Sequence, residues 1–176
     1  MKLKLAALAT TGVLALTGCA TGNPQIAAYV NGTPISQAQV DGPAQALANA
    51  SSDTADTGSA FSATVLSIMI QSKVAAAAAA ADPSLAVTQE KRDSEIAGNE
   101  TLAALVKDPA ATDFINDYVE ASLIVSTDAG KAAFTKQFAA TSVDLNPRFG
   151  TWDPTQFSIV DGSNGSLSSE APIKQE

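Results

Sequence analysis

The feature that most constrains the fold is one long apolar segment, residues 61–81. Its first half carries large side chains from Phe61 to Ile70, and its second half ends in seven consecutive alanines. Alanine favours the helix because it loses no side-chain entropy there, and Asp82-Pro83 ends the segment because the residue before a proline avoids helical backbone. Since the large apolar residues fall on more than one face, we predict a central helix that its neighbours cover on most sides.

Cap-type residues mark the other predicted helices. The first begins at residue 36 or 37, where Ser36 and Gln39 have the spacing of a capping box. Gly42-Pro43 should break or kink this helix early, because proline removes a backbone donor and clashes with the preceding turn. Later helices are predicted to begin at side chains that can accept hydrogen bonds from unpaired backbone N–H groups: Thr88, Asn99, Asp108 and Asp128.

Two short segments near the ends of the chain favour strands. Residues 26–30 are β-prone and are followed by Asn31-Gly32, a tight-turn pair. Residues 141–145 alternate polar and apolar side chains. Residues 49–60, in contrast, are small and polar and predict a surface loop. The sequence thus predicts a mainly α domain with little β structure.

The N-terminus has the order of a secretory signal. Lys2 and Lys4 precede an apolar run of about a dozen residues, which is shorter than the roughly 20 residues that a transmembrane helix needs. Residues 16–19, Leu-Thr-Gly-Cys, resemble the lipobox of bacterial lipoproteins. The resemblance implies export, cleavage before Cys19, and a diacylglycerol and a palmitate chain on that cysteine, which would anchor the protein to the extracytoplasmic face of the cell membrane. Cys19 is the only cysteine, so an intrachain disulfide is excluded.

These patterns divide the chain into four parts. Residues 1–18 are the predicted lipoprotein signal peptide, and residues 19–25 a lipidated stalk. Residues 26–157 form a single helical domain. Residues 158–176 are rich in glycine, serine and polar side chains and are predicted to be disordered.

Charge and composition argue against several classes of function. The formal net charge is −8, and loss of Lys2 and Lys4 with the signal makes the mature chain more acidic, which argues against a nucleic-acid partner. The chain has no histidine, so a Ser-His-Asp or Cys-His centre and the usual zinc sites cannot be built. Neither a phosphate-binding GxxxxGK[ST] nor a GxGxxG motif is present. No catalytic, metal-ligating or cofactor-binding residue is assigned, and an enzyme is unsupported.

The helix predicted after Asp108 carries two stripes. The first, predicted to be core, has the spacing of one helix face: Phe114, Ile115, Tyr118, Val119 and Ser122. The second is acidic: Asp113, Asp117 and Glu120. Carboxylates on one face could hold a cation or act as acid and base, but the simpler interpretation is the water-facing side of an amphipathic helix.

A second cluster, Arg148, Phe149 and Trp152, leaves two interpretations open. Arg and Trp are enriched where proteins bind proteins. An aromatic side chain just after a terminal strand can also fold back against the core, which we favour for Trp152, the only tryptophan.

Three segments, in order, resemble the N-terminal domain of SurA/PrsA-type chaperones. They are AAYVNGTPISQAQVD at residues 27–41, LAVTQ at residues 85–89 and VDLNPRFGTWDP at residues 143–154. The resemblance implies a helical domain closed by a small two-stranded sheet that pairs the first and last segments. It also implies a body that shelters unfolded segments of exported proteins. Many relatives carry a parvulin prolyl-isomerase module, but only a short tail follows residue 154 here, and the histidines of a parvulin site are missing.

Our leading hypothesis is a lipid-anchored, ATP-independent chaperone that binds unfolded or nascent exported polypeptides without catalysis of its own. Phe61, Met69 and Trp152 are candidates for a peptide-binding groove, and each could instead be core. An envelope adaptor that holds one folded partner is the alternative, and a prolyl isomerase is a third. The sequence leaves the oligomeric state open.

Overall fold

The structure, a computed structural model, describes residues 23–51 and 58–160, with the backbone alone for residues 58–60. The signal peptide, Cys19, part of the predicted 49–60 loop and residues 161–176 lie outside the described residues. What we predict for those segments stays a prediction.

The described chain is mainly helical, as predicted. Its helices are α1 (Gln37–Ala50), α2 (Gly58–Ala81), α3 (Gln89–Ala97), α4 (Glu100–Leu105), α5 (Thr112–Val125) and α6 (Asp128–Ala139). Its strands are β1 (Ile26–Val30), β2 (Thr33–Ser36), β3 (Val143–Leu145), β4 (Thr151–Asp153) and β5 (Ser158–Val160).

Helix α2 is the centre of the domain. It packs against α1, α5, α6 and β5, and side chains on several of its faces are fully buried, among them Val65, Leu66 and Ile70. Within the described residues it alone is long and apolar enough to cross a membrane by length and composition, over Phe61–Ala81. A buried core helix meets the same criterion, and the packing of α2 is that of a core helix.

The first and last predicted strands pair. Strand β3 lies antiparallel to β1, with Ala28 opposite Leu145 and Val30 opposite Val143. The predicted Asn31-Gly32 turn is present, with φ of 49° and 76°, but the sheet has three strands rather than two. The turn leads straight into β2, which pairs with β1. Pro34, which lacks an N–H, is accommodated because β2 is an edge strand.

A second sheet, the β4–β5 hairpin, is absent from our predictions. Its strands are three residues each and pair antiparallel, with Trp152 opposite Ile159. Residues 158–160, which we predicted as the start of a disordered tail, therefore form a strand. Ile159 packs against the core, and β5 contacts α2.

Helices α1, α3 and α4 begin where predicted, and their N-caps are Ser36, Thr88 and Asn99. The break predicted at Gly42-Pro43 is wrong, because α1 is continuous through a buried Pro43. The lost backbone bond costs about 3 kcal/mol in a helix interior, and burial of the surrounding apolar face of α1 against α2 offsets it.

Two predicted helix starts are also wrong. Asp108 forms a turn of its own, in which its carboxylate accepts from the Ala110 N–H at 2.9 Å, and α5 begins only at Thr112. At α6 the cap is Thr127, one residue earlier than predicted; its hydroxyl accepts from the Gly130 N–H at 3.0 Å. A neighbouring side chain therefore takes over the cap at α6, whereas α5 begins after Ala111 without a side-chain cap.

Candidate peptide-binding groove

An apolar concavity lies between α2, α5 and α6, and we call it the main groove. Its volume is about 430 Å³. Apolar side chains from all three helices and from the β4–β5 turn line it: Ile68, Tyr118, Ala121, Val125, Phe134 and Phe157. Tyr118 keeps 38 % of its surface exposed there, although it belongs to the stripe that we predicted as core. Phe114, Ile115 and Val119 of that stripe are buried as predicted.

A cluster of four aromatic rings begins in the main groove, which Phe134 and Phe157 line. The Phe157 ring packs edge-on against Phe138, with centroids 4.4 Å apart, and against Phe134 at 5.6 Å. Trp152 continues the cluster, 5.9 Å from Phe138. Such ring pairs contribute about 0.5–1.5 kcal/mol each beyond the area that they bury.

A second apolar cavity, the side groove, lies beyond Phe157 along the same helix. It has a volume of about 350 Å³ and is bordered by Phe138, Val143, Trp152 and Pro154. Thr135 and Phe157 line both grooves. The Phe157 ring therefore separates two apolar cavities that follow one another along α6.

Two side chains of α2 hold the β4–β5 hairpin in place. The Gln71 amide donates to the Phe157 carbonyl oxygen at 2.7 Å, and the Ser67 hydroxyl accepts from the Ile159 N–H at 2.9 Å. Phe157 itself has φ of 53°. A bulky residue in this left-handed region stores about 1–3 kcal/mol of strain.

One buried polar group at the groove has no partner in the described structure. Ser72 is 6 % exposed, and its hydroxyl is buried without a hydrogen bond. It lies where the main groove meets a smaller polar cavity beside Asp117 and Glu120. An unsatisfied buried hydroxyl costs about 1–3 kcal/mol, which a polar group of a bound ligand could recover.

No family model, curated protein or solved structure matches this chain. The functional argument therefore rests on the grooves themselves.

The three residues predicted to line a peptide-binding groove are not brought together. Trp152 borders the side groove and also packs against the core. Phe61, near the start of α2, is half-buried and packs against the core. Met69 borders a different and more polar cavity with Lys73 and Asp117.

The residues that form the main groove were missed for an identifiable reason. Tyr118 and Ser122 have the spacing of the core face of α5, but in the fold they line the cavity between α2, α5 and α6. The Phe134 and Phe138 pair, four residues apart on one helix, was the signal that could have located the groove.

Cationic side chains of two other helices, Arg92 of α3 and Lys73 of α2, act on the acidic stripe of α5. The Arg92 guanidinium of α3 forms a 3.0 Å salt bridge with Glu120. Burial raises the pKa of Asp117 above its usual value, and the carboxylates of Glu120 and Asp113 add to this effect, while Lys73 opposes it. Within the described residues, no group of three potential metal ligands is found.

The cluster of Arg148, Phe149 and Trp152 divides into two parts. The Arg148 guanidinium lies over the Phe149 ring at 5.1 Å, which is a cation–π contact. Trp152 lies on β4, packs against Phe138 and borders the side groove.

Proposed function

We propose that this protein is a lipid-anchored extracytoplasmic chaperone that binds unfolded or nascent exported polypeptides without ATP. The observation that carries the proposal is the main groove, an open apolar cavity with an aromatic wall on an otherwise acidic domain. Exposed apolar concavities of this kind are typical of interaction sites.

The chemistry of the groove suits an extended apolar segment of a client. From Lys131 to Ala139, α6 runs for about 12 Å along the two grooves, a length that three or four extended residues would cover. Each large apolar side chain that enters the groove contributes about 1.5–3 kcal/mol. Binding would be weak and tolerant of sequence, which a chaperone needs so that clients can leave.

The ends of the chain support the same proposal. The resemblance of residues 16–19 to a lipobox implies a lipid on Cys19, which is seven residues before the start of β1 at Ile26. Because β1 pairs with β3, the sheet would lie near the membrane, with the helices and their grooves turned toward emerging polypeptides. The resemblance of residues 27–41 to SurA/PrsA-type chaperones agrees with this assignment.

A charge placed in the groove tests the proposal. Tyr118→Glu puts a carboxylate on the apolar wall at an exposed position, so the fold should tolerate it. We expect the variant to bind an unfolded reporter at least tenfold more weakly and to lose most of its ability to suppress client aggregation. Fluorescence anisotropy of a labelled apolar peptide and light scattering of a heat-unfolding client measure the two effects.

The matched control is Ser94→Glu, which adds the same charge at an exposed position on α3. It should bind and protect clients like the unmodified chain. Equal activity of the two variants would refute the groove as the binding site, and a mature chain that neither binds peptide nor suppresses aggregation would refute the proposal itself.

A further inference from the structure

Phe157 combines three features that are unusual in one residue. Its ring lies in apolar contact with Phe134 and Phe138, where it separates the main groove from the side groove. Its backbone is in the left-handed region, with φ of 53°, which a phenylalanine adopts only under strain. It also belongs to the four-residue turn between two three-residue strands.

The position of the ring resembles that of a bound ligand. Phe157 reaches α6 from a separate element, and its ring makes two edge-to-face contacts of the kind that an incoming aromatic or aliphatic side chain could replace. The Gln71 amide, which donates to the Phe157 carbonyl oxygen at 2.7 Å, is the polar contact that anchors this residue to α2.

We propose that Phe157 is a displaceable plug: its ring occupies the groove when no client is bound, and a client side chain displaces it and joins the two grooves into one. Release of the strained backbone would favour displacement, while loss of the ring contacts opposes it. The plug would keep the apolar surface covered between clients. This inference rests on the proposed chaperone function, because the displacing group is a client side chain.

The plug has a measurable consequence for affinity. If only a fraction of molecules is unplugged, the apparent dissociation constant is the intrinsic value divided by that fraction. Phe157→Ala should therefore tighten binding of a labelled apolar peptide to the mature chain, by about tenfold if one molecule in ten is open. Gln71→Ala keeps the ring but removes its anchor, and should tighten binding by a smaller factor.

Ser94→Ala is the control, because it changes an exposed side chain on α3 and leaves the turn, the ring and its anchor as they are. Trp152, the only tryptophan, lies beside Phe138 in the side groove and reports displacement. Its emission should change when peptide binds the unmodified chain, and the spectrum of unliganded Phe157→Ala should already be shifted in the same direction. Circular dichroism verifies that each variant is folded.

The outcomes separate the two proposals. Tighter binding by Phe157→Ala and Gln71→Ala, with Ser94→Ala near the unmodified value, supports the plug. Weaker or unchanged binding by Phe157→Ala and Gln71→Ala shows that the ring is a fixed part of the wall and overturns the plug, while the chaperone proposal stands. If neither the unmodified chain nor any variant binds the peptide, the chaperone proposal fails and the plug fails with it.

Discussion

At the scale of single residues, Asp153 organises the turn that carries Phe157. Its carboxylate accepts hydrogen bonds from the Thr155 hydroxyl at 2.6 Å and the Thr155 N–H at 2.7 Å, and the Gln156 side-chain amide donates to it at 2.9 Å. The Thr155 hydroxyl, followed by the Thr155 N–H, lowers the pKa of Asp153 below its usual value of 3.8.

This lowered pKa makes the stability contributed by Asp153 dependent on pH. The contribution is fully present above pH 3.8, the ordinary pKa of the unfolded chain, and is lost as the pH falls through the lower pKa of the folded state. Asp153→Asn should therefore melt at a lower temperature than the unmodified chain at neutral pH, and the difference should disappear in strong acid. Thermal melts followed by circular dichroism measure it.

Asp117→Asn is the control, because the pKa of Asp117 is shifted in the opposite direction to that of Asp153. Burial raises the pKa of Asp117, so its ionisation favours the unfolded chain, and the variant should be more stable than the unmodified chain at neutral pH. That gain should vanish below pH 3.8. If both substitutions shifted stability in the same direction at neutral pH, the electrostatic account of these carboxylates would be wrong.

At the scale of secondary-structure elements, the main groove depends on a two-residue connection between α5 and α6. Gly130 lies in the first turn of α6, and a Cβ there would come 2.7 Å from the carbonyl carbon of Ile124 and closer still to its oxygen. The Thr127 hydroxyl accepts from the Gly130 N–H and donates to the same Ile124 oxygen at 3.2 Å. This close approach fixes α6 against α5.

Gly130→Ala should therefore destabilise the protein, by about 1–3 kcal/mol, because the added methyl group cannot be accommodated without moving the backbone. Urea unfolding followed by Trp152 fluorescence measures the free energy. Gly98→Ala is the matched control: a Cβ there has only ordinary contacts, the nearest at 3.4 Å from the Ser94 oxygen. It should leave stability unchanged or raise it by up to about 1 kcal/mol. Equal effects of the two substitutions would contradict the packing described for the α5–α6 connection.

The elements also show which parts of the fold the sequence could predict. Helix α2, the capping box at Ser36 and the turn at Asn31-Gly32 depend on local chemistry, and all three are present where predicted. The β4–β5 hairpin was missed because its strands are only three residues long and are stabilised by contacts with α2, far away in the sequence. The break expected at Pro43 is absent because tertiary packing outweighs a local cost.

The groove was less predictable than the fold, for the same reason. Whether Tyr118 is core or groove depends on where α6 lies, and no local pattern on α5 contains that information. Trp152 was predicted as a groove residue because of its side-chain chemistry. Phe157 was not, because it lies in a polar turn, and only its φ angle and its contacts with α6 mark it as part of the groove.

At the scale of the whole molecule, the proposed function needs a membrane anchor at one end of the chain and a binding groove in the body. The described residues form one helical body, in which the pairing of β1 with β3 brings the two ends of the domain together. The Asn146 side-chain amide strengthens this junction by donating to the Ile26 carbonyl oxygen at 3.0 Å. A lipid on Cys19 would then determine the orientation of the groove as well as the location of the protein.

Site-specific photo-crosslinking in living cells tests the central claim most directly. A photoreactive residue replaces Ser122, an exposed position that lines the main groove, in the full chain, with the same residue at Ser94 as the control. The account predicts that position 122, unlike position 94, captures a spread of unrelated exported proteins while they are unfolded, and that Cys19→Ala reduces this capture by releasing the protein from the membrane. Capture of one stoichiometric folded partner would favour an adaptor and contradict the account, as would equal capture from both positions.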